Sequence, residues 1–270
     1  MIMLRRGDRG PPVLVVQHLL CVHLGRQIGR DGLYGPETRR AVLEFQRSRG
    51  LSRDGIAGPD TWAELAGHTD FRVVNAVDVM DEMLLENHVP SDLVDAGGHP
   101  VVTGGMSGGI RSVVSRIVSR CPGPGSLVLL RFFGHGSSGL MGVTAGVGGY
   151  YDEDGQPVSY HAAQQQASMS LENLDTVAPV LRRLRGWFSP VGSVELHGCG
   201  VAQGADGATF QRRLSALWGV PVTAGRGSQK VGGTWKTLRL EGRVVTRYPG
   251  GGGLRGWARR HQSLPGGVSV

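Results

Sequence analysis

Two apolar runs, each stopped by glycines, constrain this chain more than any other feature of its sequence. Residues 127–133 lead into Gly-His135-Gly, and residues 193–196 lead through His-Gly into Cys199 and a further glycine. Runs of this kind predict buried parallel strands followed by tight turns. Reactive groups in open α/β sheets gather at the carboxyl ends of the strands. If the two strands are neighbours, a histidine base and a thiol face each other, which is the minimum needed for nucleophilic catalysis.

Strand and helix patterns alternate around these two runs. Strands are predicted at 71–77, 127–133, 193–196 and 220–224, helices at 78–87, 110–120, 171–187 and 207–218, and a terminal hairpin at 235–248. A polar, glycine-rich insertion occupies 136–170. The alternation predicts an α/β fold with a mostly parallel sheet and helices on both faces, as a three-layer αβα domain over residues 71–248. The glycine-rich basic tail at 249–270 is predicted to be loosely ordered.

Composition limits the partners of the chain. The formal net charge is +7, but the arginines that carry it are scattered and form no basic run interleaved with aromatics, so nucleic-acid binding is not predicted. No stretch approaches the roughly 18 apolar residues of a membrane span. The first residues lack the apolar region of a secretory signal. We therefore expect a soluble protein, cytoplasmic when made, that reaches the cell envelope or exterior by another route, such as a phage-like or contractile apparatus.

The three cysteines give little support for a disulfide framework, because their number is odd and their spacings are unrelated. Cys21 and Cys121 lie in apolar helical contexts and are predicted to be buried. Cys199 differs from both, since it follows a strand end.

The first 67 residues contain a short internal repeat. The sequence Asp31-Gly-Leu-Tyr-Gly-Pro-Glu-Thr recurs as Asp54-Gly-Ile-Ala-Gly-Pro-Asp-Thr. In each copy the aspartate and first glycine favour a turn, and the proline opens a helix at its first position with an acidic residue behind it. Helices with apolar stripes follow both copies, and another precedes them at 13–24. Residues 1–67 are therefore predicted to form a small three-helix domain.

The same segment resembles the small helical peptidoglycan-binding domain. The resemblance rests on Leu-Arg-Arg-Gly-Asp at 4–8, the two turn motifs, Ala-Val-x-x-Phe-Gln at 41–46 and Gly-Leu-x-x-Asp-Gly-x-x-Gly at 50–58. It implies a module that docks a cell-wall hydrolase or related protein onto peptidoglycan, with a ligand groove near the turns. Asp31, Tyr34 and Asp54 are then candidate peptidoglycan contacts, although the two aspartates also have the simpler role of holding turns.

The two strand ends resemble the site of the caspase-like cysteine peptidases, a clan that includes legumains, gingipains and clostripain-type enzymes. In that clan one strand ends in His-Gly and the next ends in the nucleophilic cysteine, so the resemblance implies a Cys199–His135 dyad. Glycines beside both residues let backbone amides turn outward, and the amides of Gly136 and Cys199 are the predicted oxyanion hole. Residues 127–240 resemble still more closely a bacterial domain of uncharacterised function that is found in large surface proteins.

Two departures from the clan leave specificity and activity open. A glycine replaces the usual alanine, serine or glutamine before the cysteine, and residues 146–166 enlarge the gap between the two catalytic positions. The loops after Cys199 and after Ala224 are expected to form the substrate pocket. There Asp206 favours a basic substrate side chain, whereas Arg226 or Lys230 favours an acidic one.

Three functions stay open on the sequence. The first is a cysteine peptidase held at the cell wall and acting on a polypeptide substrate. The second is a lysin-like hydrolase that cuts the peptide stems of peptidoglycan with the same dyad. The third is a catalytically silent binding or assembly module.

A metal site is a further possibility, but the sequence does not favour it. Zinc ligands of the right type are present in His135, His161, His197 and Cys199, but only the last two have metal-site spacing. His197 is instead predicted to be a core residue or to support the thiol. No cofactor is predicted.

Overall fold

The computed structural model describes residues 3–67, 69–78, 101–103, 109–144, 150–151, 157–158, 167–229 and 239–263. The helices in these ranges are α1 (Pro11–Leu24), α2 (Pro36–Ser48), α3 (Pro59–Gly67), α4 (Gly109–Ser119), α5 (Leu174–Leu181), α6 (Gly204–Trp218) and α7 (Leu254–Arg260). The strands are β1 (Arg72–Asp78), β2 (Val101–Thr103), β3 (Leu127–Phe133), β4 (Gly136–Ser137), β5 (Leu140–Gly142), β6 (Tyr150–Tyr151), β7 (Pro157–Val158), β8 (Ser168–Ser170), β9 (Phe188–His197), β10 (Val222–Gly225) and β11 (Val244–Arg247).

Each copy of the sequence repeat is built around one buried glutamine. Nε2 of Gln17, on α1, donates to the side chains of Asp31 and Thr38 in the first copy, at 2.9 and 3.1 Å. Oε1 of Gln17 accepts two backbone amides of the same turn. Gln46 makes the corresponding bonds in the second copy. The repeated motif therefore encodes a turn together with the groups that anchor it, and the predicted turns are confirmed.

The main sheet has the strand order β11-β10-β9-β3-β1-β2, with every pair parallel except β10 with β11. The predicted mostly parallel α/β fold is confirmed. The third strand has the predicted bounds, while β9 begins five residues earlier than expected. The predicted helix at 171–187 is shorter, since α5 ends at Leu181 and a 3₁₀ turn follows. The predicted helix at 78–87 begins at Asp78, which is the last residue of β1, and its remainder lies outside the described residues.

The insertion at 136–170 contributes ordered strands to the core. Strands β4, β5 and β8 form a small antiparallel sheet next to the end of β3. Met141 and Met169, at adjacent positions of this sheet, are fully buried in the main core. The insertion therefore covers one end of the sheet, where an open polar loop would leave apolar side chains exposed.

Helices cover both faces of the main sheet, but they come from different parts of the chain. Helices α4, α5 and α6 pack on one face, over a core that includes Phe132, Phe210 and Trp218. The opposite face carries Val128 and Leu129 of β3, which share a buried cluster with α1 and α7. The N-terminal helical domain thus supplies the second helical layer, and it is packed on the sheet instead of being tethered beside it.

The prediction that the tail at 249–270 is loosely ordered is wrong for residues 254–260, which form α7. Trp257 of this helix is 3% exposed and lies within the cluster that joins α1 to the sheet. Nε2 of His18 lies 2.7 Å from the carbonyl oxygen of His261, just after α7. Burial of the indole offsets the entropy of ordering so short a helix.

This packing predicts a loss of stability in acid. Burial lowers the pKa of His18 from 6.5 to about 4, so the unfolded chain takes up a proton at a higher pH than the folded chain. The contribution of the neutral His18 to the free energy of unfolding is complete above pH 6.5. It is lost as the pH falls towards 4, and the loss is at most about 3 kcal/mol. Urea unfolding at pH 7 and at pH 4.5 is expected to show a smaller decline for His18→Gln than for the wild type. Equal declines in the two proteins would contradict this account.

Candidate active site

The two glycine-bounded strand ends lie side by side. Strands β3 and β9 pair in parallel, with Phe133 opposite His197, so His135 and Cys199 leave the sheet at the same level of two neighbouring strands. The prediction that these strands are neighbours is confirmed. His135 is exposed and Cys199 is half-buried, whereas Cys21 is buried. An imidazole and a partly accessible thiol therefore share the carboxyl edge of the sheet.

The glycines at the strand ends are required by backbone packing. A Cβ on Gly136 would lie 2.9 Å from Cα of Gly198, and a Cβ on Gly134 would lie 2.6 Å from the carbonyl oxygen of Gly142. Real Cβ atoms essentially never come so close to backbone atoms. A side chain at position 136 would push the two strand ends apart, and one at position 134 would displace the hairpin that follows His135.

A tight hairpin turns back immediately after His135. The amide of Gly142 donates to the carbonyl of His135 at 2.8 Å, and β4 and β5 continue the antiparallel ladder. Gly136 and Met141 consequently form a non-hydrogen-bonded pair of this ladder. The hairpin ladder therefore leaves the amide of Gly136 unused.

The sulfur of Cys199 contacts the loop after Ala224, which was predicted to line the substrate pocket, through a residue that was not predicted to take part. The backbone amide of Gln229 donates to Sγ at 3.3 Å, and Sγ lies 3.7 Å from the carbonyl oxygen of the same residue. Oε1 of Gln229 accepts the amide of Glu241 at 2.9 Å, which ties a second segment to this loop. The amide and the carbonyl of one residue therefore hold the sulfur in place. Gln229 thus belongs to the site through its backbone, for which the sequence offers no signal.

Two of the three predicted pocket residues lie on segments next to the loop that follows Cys199. Asp206, exposed in the first turn of α6, lies beside the β4–β5 turn, where a Cβ on Gly139 would be 3.2 Å from Cβ of Asp206. Arg226 follows β10, on a loop hydrogen-bonded to the loop after Cys199. Its Nε is buried and has no hydrogen-bond partner among the residues described here. Lys230 lies outside the described residues.

A buried charge network lies two residues before the ends of β3 and β9. Arg131 of β3 and Glu195 of β9 are opposite each other in the sheet, and Nε of the fully buried arginine donates to Oε2 of the carboxylate at 3.2 Å. Since a carboxylate only accepts, Nε2 of His197 donates to the same oxygen at 3.0 Å. The imidazole stacks on Phe133, with ring centroids 4.4 Å apart. His197 is therefore a buried residue of this network, next to the thiol in sequence.

The network keeps one charge of each sign at neutral pH. Burial by itself would raise the pKa of Glu195, but the hydrogen bond from His197 and the charge of Arg131 outweigh it and lower that pKa. Burial lowers the pKa of His197, so its imidazole is neutral. The sequence did contain a signal for this pair, since an arginine and a glutamate interrupt the two apolar runs.

The candidate peptidoglycan contacts have structural roles in the helical domain. Asp31 and Asp54 are exposed, and each accepts the amide two residues further along its turn at 2.8 Å. Tyr34 is 2% exposed, and its hydroxyl donates to the carbonyl of Gly55, which joins the two repeats. Ligand contact by the two aspartates stays a prediction, and contact by Tyr34 would require the ring to leave its buried site.

The described part of the chain contains no group of three or more His, Cys, Asp or Glu side chains placed to hold a metal ion. His161, one of the four candidate zinc ligands, lies outside the described residues. In the ranges that the structure describes, no helix combines the length and apolar character needed to cross a membrane.

Two family models match parts of the chain. Residues 9–65 match a putative peptidoglycan binding domain, and residues 154–248 match a domain of unknown function, DUF4347. The predicted N-terminal peptidoglycan-binding domain is confirmed, and its presence supports association with the cell wall. Neither family description mentions a cysteine peptidase, so a catalytic role for His135 and Cys199 is a proposal.

Parts of the chain are also similar to solved structures. A peptidoglycan-binding protein from Clostridioides difficile, in complex with glutamine hydroxamate, is 43% identical over 23% of this chain and 39% of its own, with a TM-score of 0.22. A periplasmic domain of the EpsAB fusion protein of the Vibrio vulnificus type II secretion system is 33% identical over 24% and 29%, with a TM-score of 0.23. The Burkholderia AP3 phage endolysin is 35% identical over 34% and 33%, with a TM-score of 0.23. This chain spans less than two fifths of each of these proteins.

Proposed function

We propose that this protein is a cell-wall-associated cysteine hydrolase in which Cys199 is the nucleophile and His135 the general base. One observation carries the proposal. The parallel pairing of β3 with β9 brings an exposed imidazole and a half-buried thiol to the same level of the sheet edge. The backbone of Gln229 contacts Sγ through its amide and its carbonyl, which holds the sulfur at this edge.

The proposed reaction is hydrolysis of an amide bond. His135 takes the proton of the thiol, and the thiolate of Cys199 attacks the carbonyl carbon. The amides of Gly136 and Cys199 donate to the oxyanion of the tetrahedral intermediate. When the C–N bond breaks, the imidazolium returns the proton to the leaving amine and a thioester remains. Water, deprotonated by His135, then attacks the thioester and releases the acid and the free thiol.

The substrate is proposed to be a polypeptide, with an amide in a peptide stem of peptidoglycan as the second candidate. Direct packing of the peptidoglycan-binding domain on the sheet favours the second candidate, because the wall ligand and the strand ends then belong to one packed body. Asp206 and Arg226 lie on segments next to the loop that follows Cys199 and are proposed to read a basic or an acidic substrate side chain respectively. A phage-like or contractile apparatus is the proposed route of delivery to the wall.

Purified full-length protein tests the proposal and separates the two substrates. We expect the wild type to release new amino groups from a mixed protein substrate or from purified peptidoglycan, and Cys199→Ala to release none. Cys121→Ala, which changes a buried thiol on the other side of the core, is the matched control and is expected to retain activity. Activity of Cys199→Ala equal to that of the wild type, or no activity of the wild type on either substrate, would contradict the proposal and favour a non-catalytic wall-binding module.

A further inference from the structure

A cleft lies between the helical domain and the last strands of the sheet. It encloses about 960 Å³, which is the size of a small-ligand site. Its floor carries polar side chains of three adjacent strands, Glu195 of β9, Thr223 of β10 and Thr246 of β11, and one wall is formed by residues 7–12 of the helical domain. We call this cavity the interdomain cleft. Because both domains line it, the site exists only while they are packed together.

Three exposed arginines surround the interdomain cleft. Arg9 belongs to the helical domain, Arg243 to the segment before β11 and Arg255 to α7. In the described part of the chain, none of the three forms an ion pair. Guanidinium groups bind carboxylates through paired, charge-assisted hydrogen bonds. Their convergence from three segments favours an anionic ligand.

The carboxylates of the same cavity are largely neutralised. Asp8 is paired with Arg239, and Glu195 with the buried Arg131. Asp31 has no ion pair among the described residues, and its Oδ1 accepts a turn amide. Three arginine charges therefore face a single unpaired carboxylate, and the interdomain cleft is positively charged.

Among the apolar side chains that line the interdomain cleft, two large ones are exposed, one on each domain. Leu33 of the helical domain is 47% exposed, and Val244 of β11 is 40% exposed. They are the two large apolar side chains that stay exposed among the described residues, and both line this cavity. A ligand that fits this lining combines negative charge with aliphatic groups.

We propose that the interdomain cleft binds a short peptide that carries free carboxylates and an aliphatic side chain. The arginines receive the carboxylates, and Leu33 and Val244 receive the aliphatic group. Free acidic peptides and the peptide parts of cell-wall fragments share this chemistry, and the binding experiments below distinguish the two sources. Cys199 does not line the cavity, so binding is independent of the proposed hydrolytic activity.

Titration calorimetry on the full chain tests this site with defined probes. The acidic probe is the peptide acetyl-Ala-Glu-Val-Glu with a free C-terminus, and the neutral probe is acetyl-Ala-Gln-Val-Gln amide. We expect the acidic probe to bind at least about tenfold more tightly than the neutral one, and Arg243→Ala to weaken its binding about tenfold. Arg111→Ala, an exposed arginine on the opposite helical layer, is the matched control and is expected to bind like the wild type.

Further arms identify the source and separate this site from the hydrolytic one. Disaccharide-peptides from digested cell walls, bound by the wild type and lost in Arg243→Ala, identify a wall stem peptide. Binding of the free acidic peptide alone identifies an acidic protein segment instead. Cys199→Ala is expected to bind both like the wild type, so a failed hydrolysis assay does not affect this result. Equal binding of the two tetrapeptides, or unchanged binding by Arg243→Ala, would overturn the proposal.

Discussion

Replacing His135 by alanine is expected to lower the rate of amide hydrolysis by about 10²- to 10⁴-fold, the usual contribution of a general base. The imidazole is exposed at the sheet edge, so its removal leaves the core unchanged. Without this base, the reaction depends on the thiolate that forms spontaneously.

The comparison is made on kcat/KM across the pH range from 5 to 9, with the full chain. Ser137→Ala is the matched control, because this exposed side chain lies two residues beyond the imidazole on β4. We expect Ser137→Ala to keep the wild-type profile. A wild-type rate and profile for His135→Ala would show that the histidine takes no part in the chemistry.

Replacing Arg131 by methionine is expected to destabilise the protein by about 3–5 kcal/mol, because the Glu195 carboxylate then stays buried without a counter-charge. The arginine is fully buried, and Glu195 accepts from both Arg131 and His197. Two apolar side chains in place of the ion pair remove both charges together. The double variant Arg131→Met with Glu195→Leu is therefore expected to be more stable than Arg131→Met alone.

Urea unfolding measures both variants, and the exposed pair Arg26–Glu44 provides the control. Arg26→Ala is expected to cost less than about 1 kcal/mol, since exposed ion pairs contribute little. A loss for Arg131→Met no larger than that for Arg26→Ala would show that the Glu195 charge is not buried as described. A double variant less stable than Arg131→Met would show that the ion pair stabilises the fold beyond neutralising its own charges.

The parts of the fold that depend on local pattern were predictable from the sequence. Strand β3 has the predicted bounds because an uninterrupted apolar run meets a glycine that backbone packing requires. The repeat around Asp31 and Asp54 predicted two turns because each motif contains its own turn-forming and helix-opening residues. The adjacency of His135 and Cys199 followed from the same reasoning, since parallel strands bring their carboxyl ends to one edge.

The parts that depend on distant contacts were not predictable. Helix α7 is short and glycine-flanked, and it is ordered because Trp257 is buried in a cluster with residues more than 200 positions earlier. The contact of Gln229 with the thiol uses backbone atoms 30 residues after Cys199, which no side-chain pattern encodes. The helical domain packs on the sheet through two apolar surfaces. In the sequence, each of these surfaces looked like part of the core of its own domain.

The Arg131–Glu195 pair, by contrast, was visible in the sequence as opposite charges within two apolar runs.

Selective modification of Cys199 tests most directly the claim that a base and a nucleophile meet at the sheet edge. The full chain is treated with a limiting thiol-reactive probe at pH 7, and the labelled cysteine is identified by peptide mass. Cys21 and Cys121 are buried and serve as internal controls. We predict that Cys199 is labelled at least about tenfold faster than either of them, and that His135→Ala slows the labelling of Cys199 itself. Labelling of Cys199 at the same rate in the wild type and in His135→Ala would contradict the dyad.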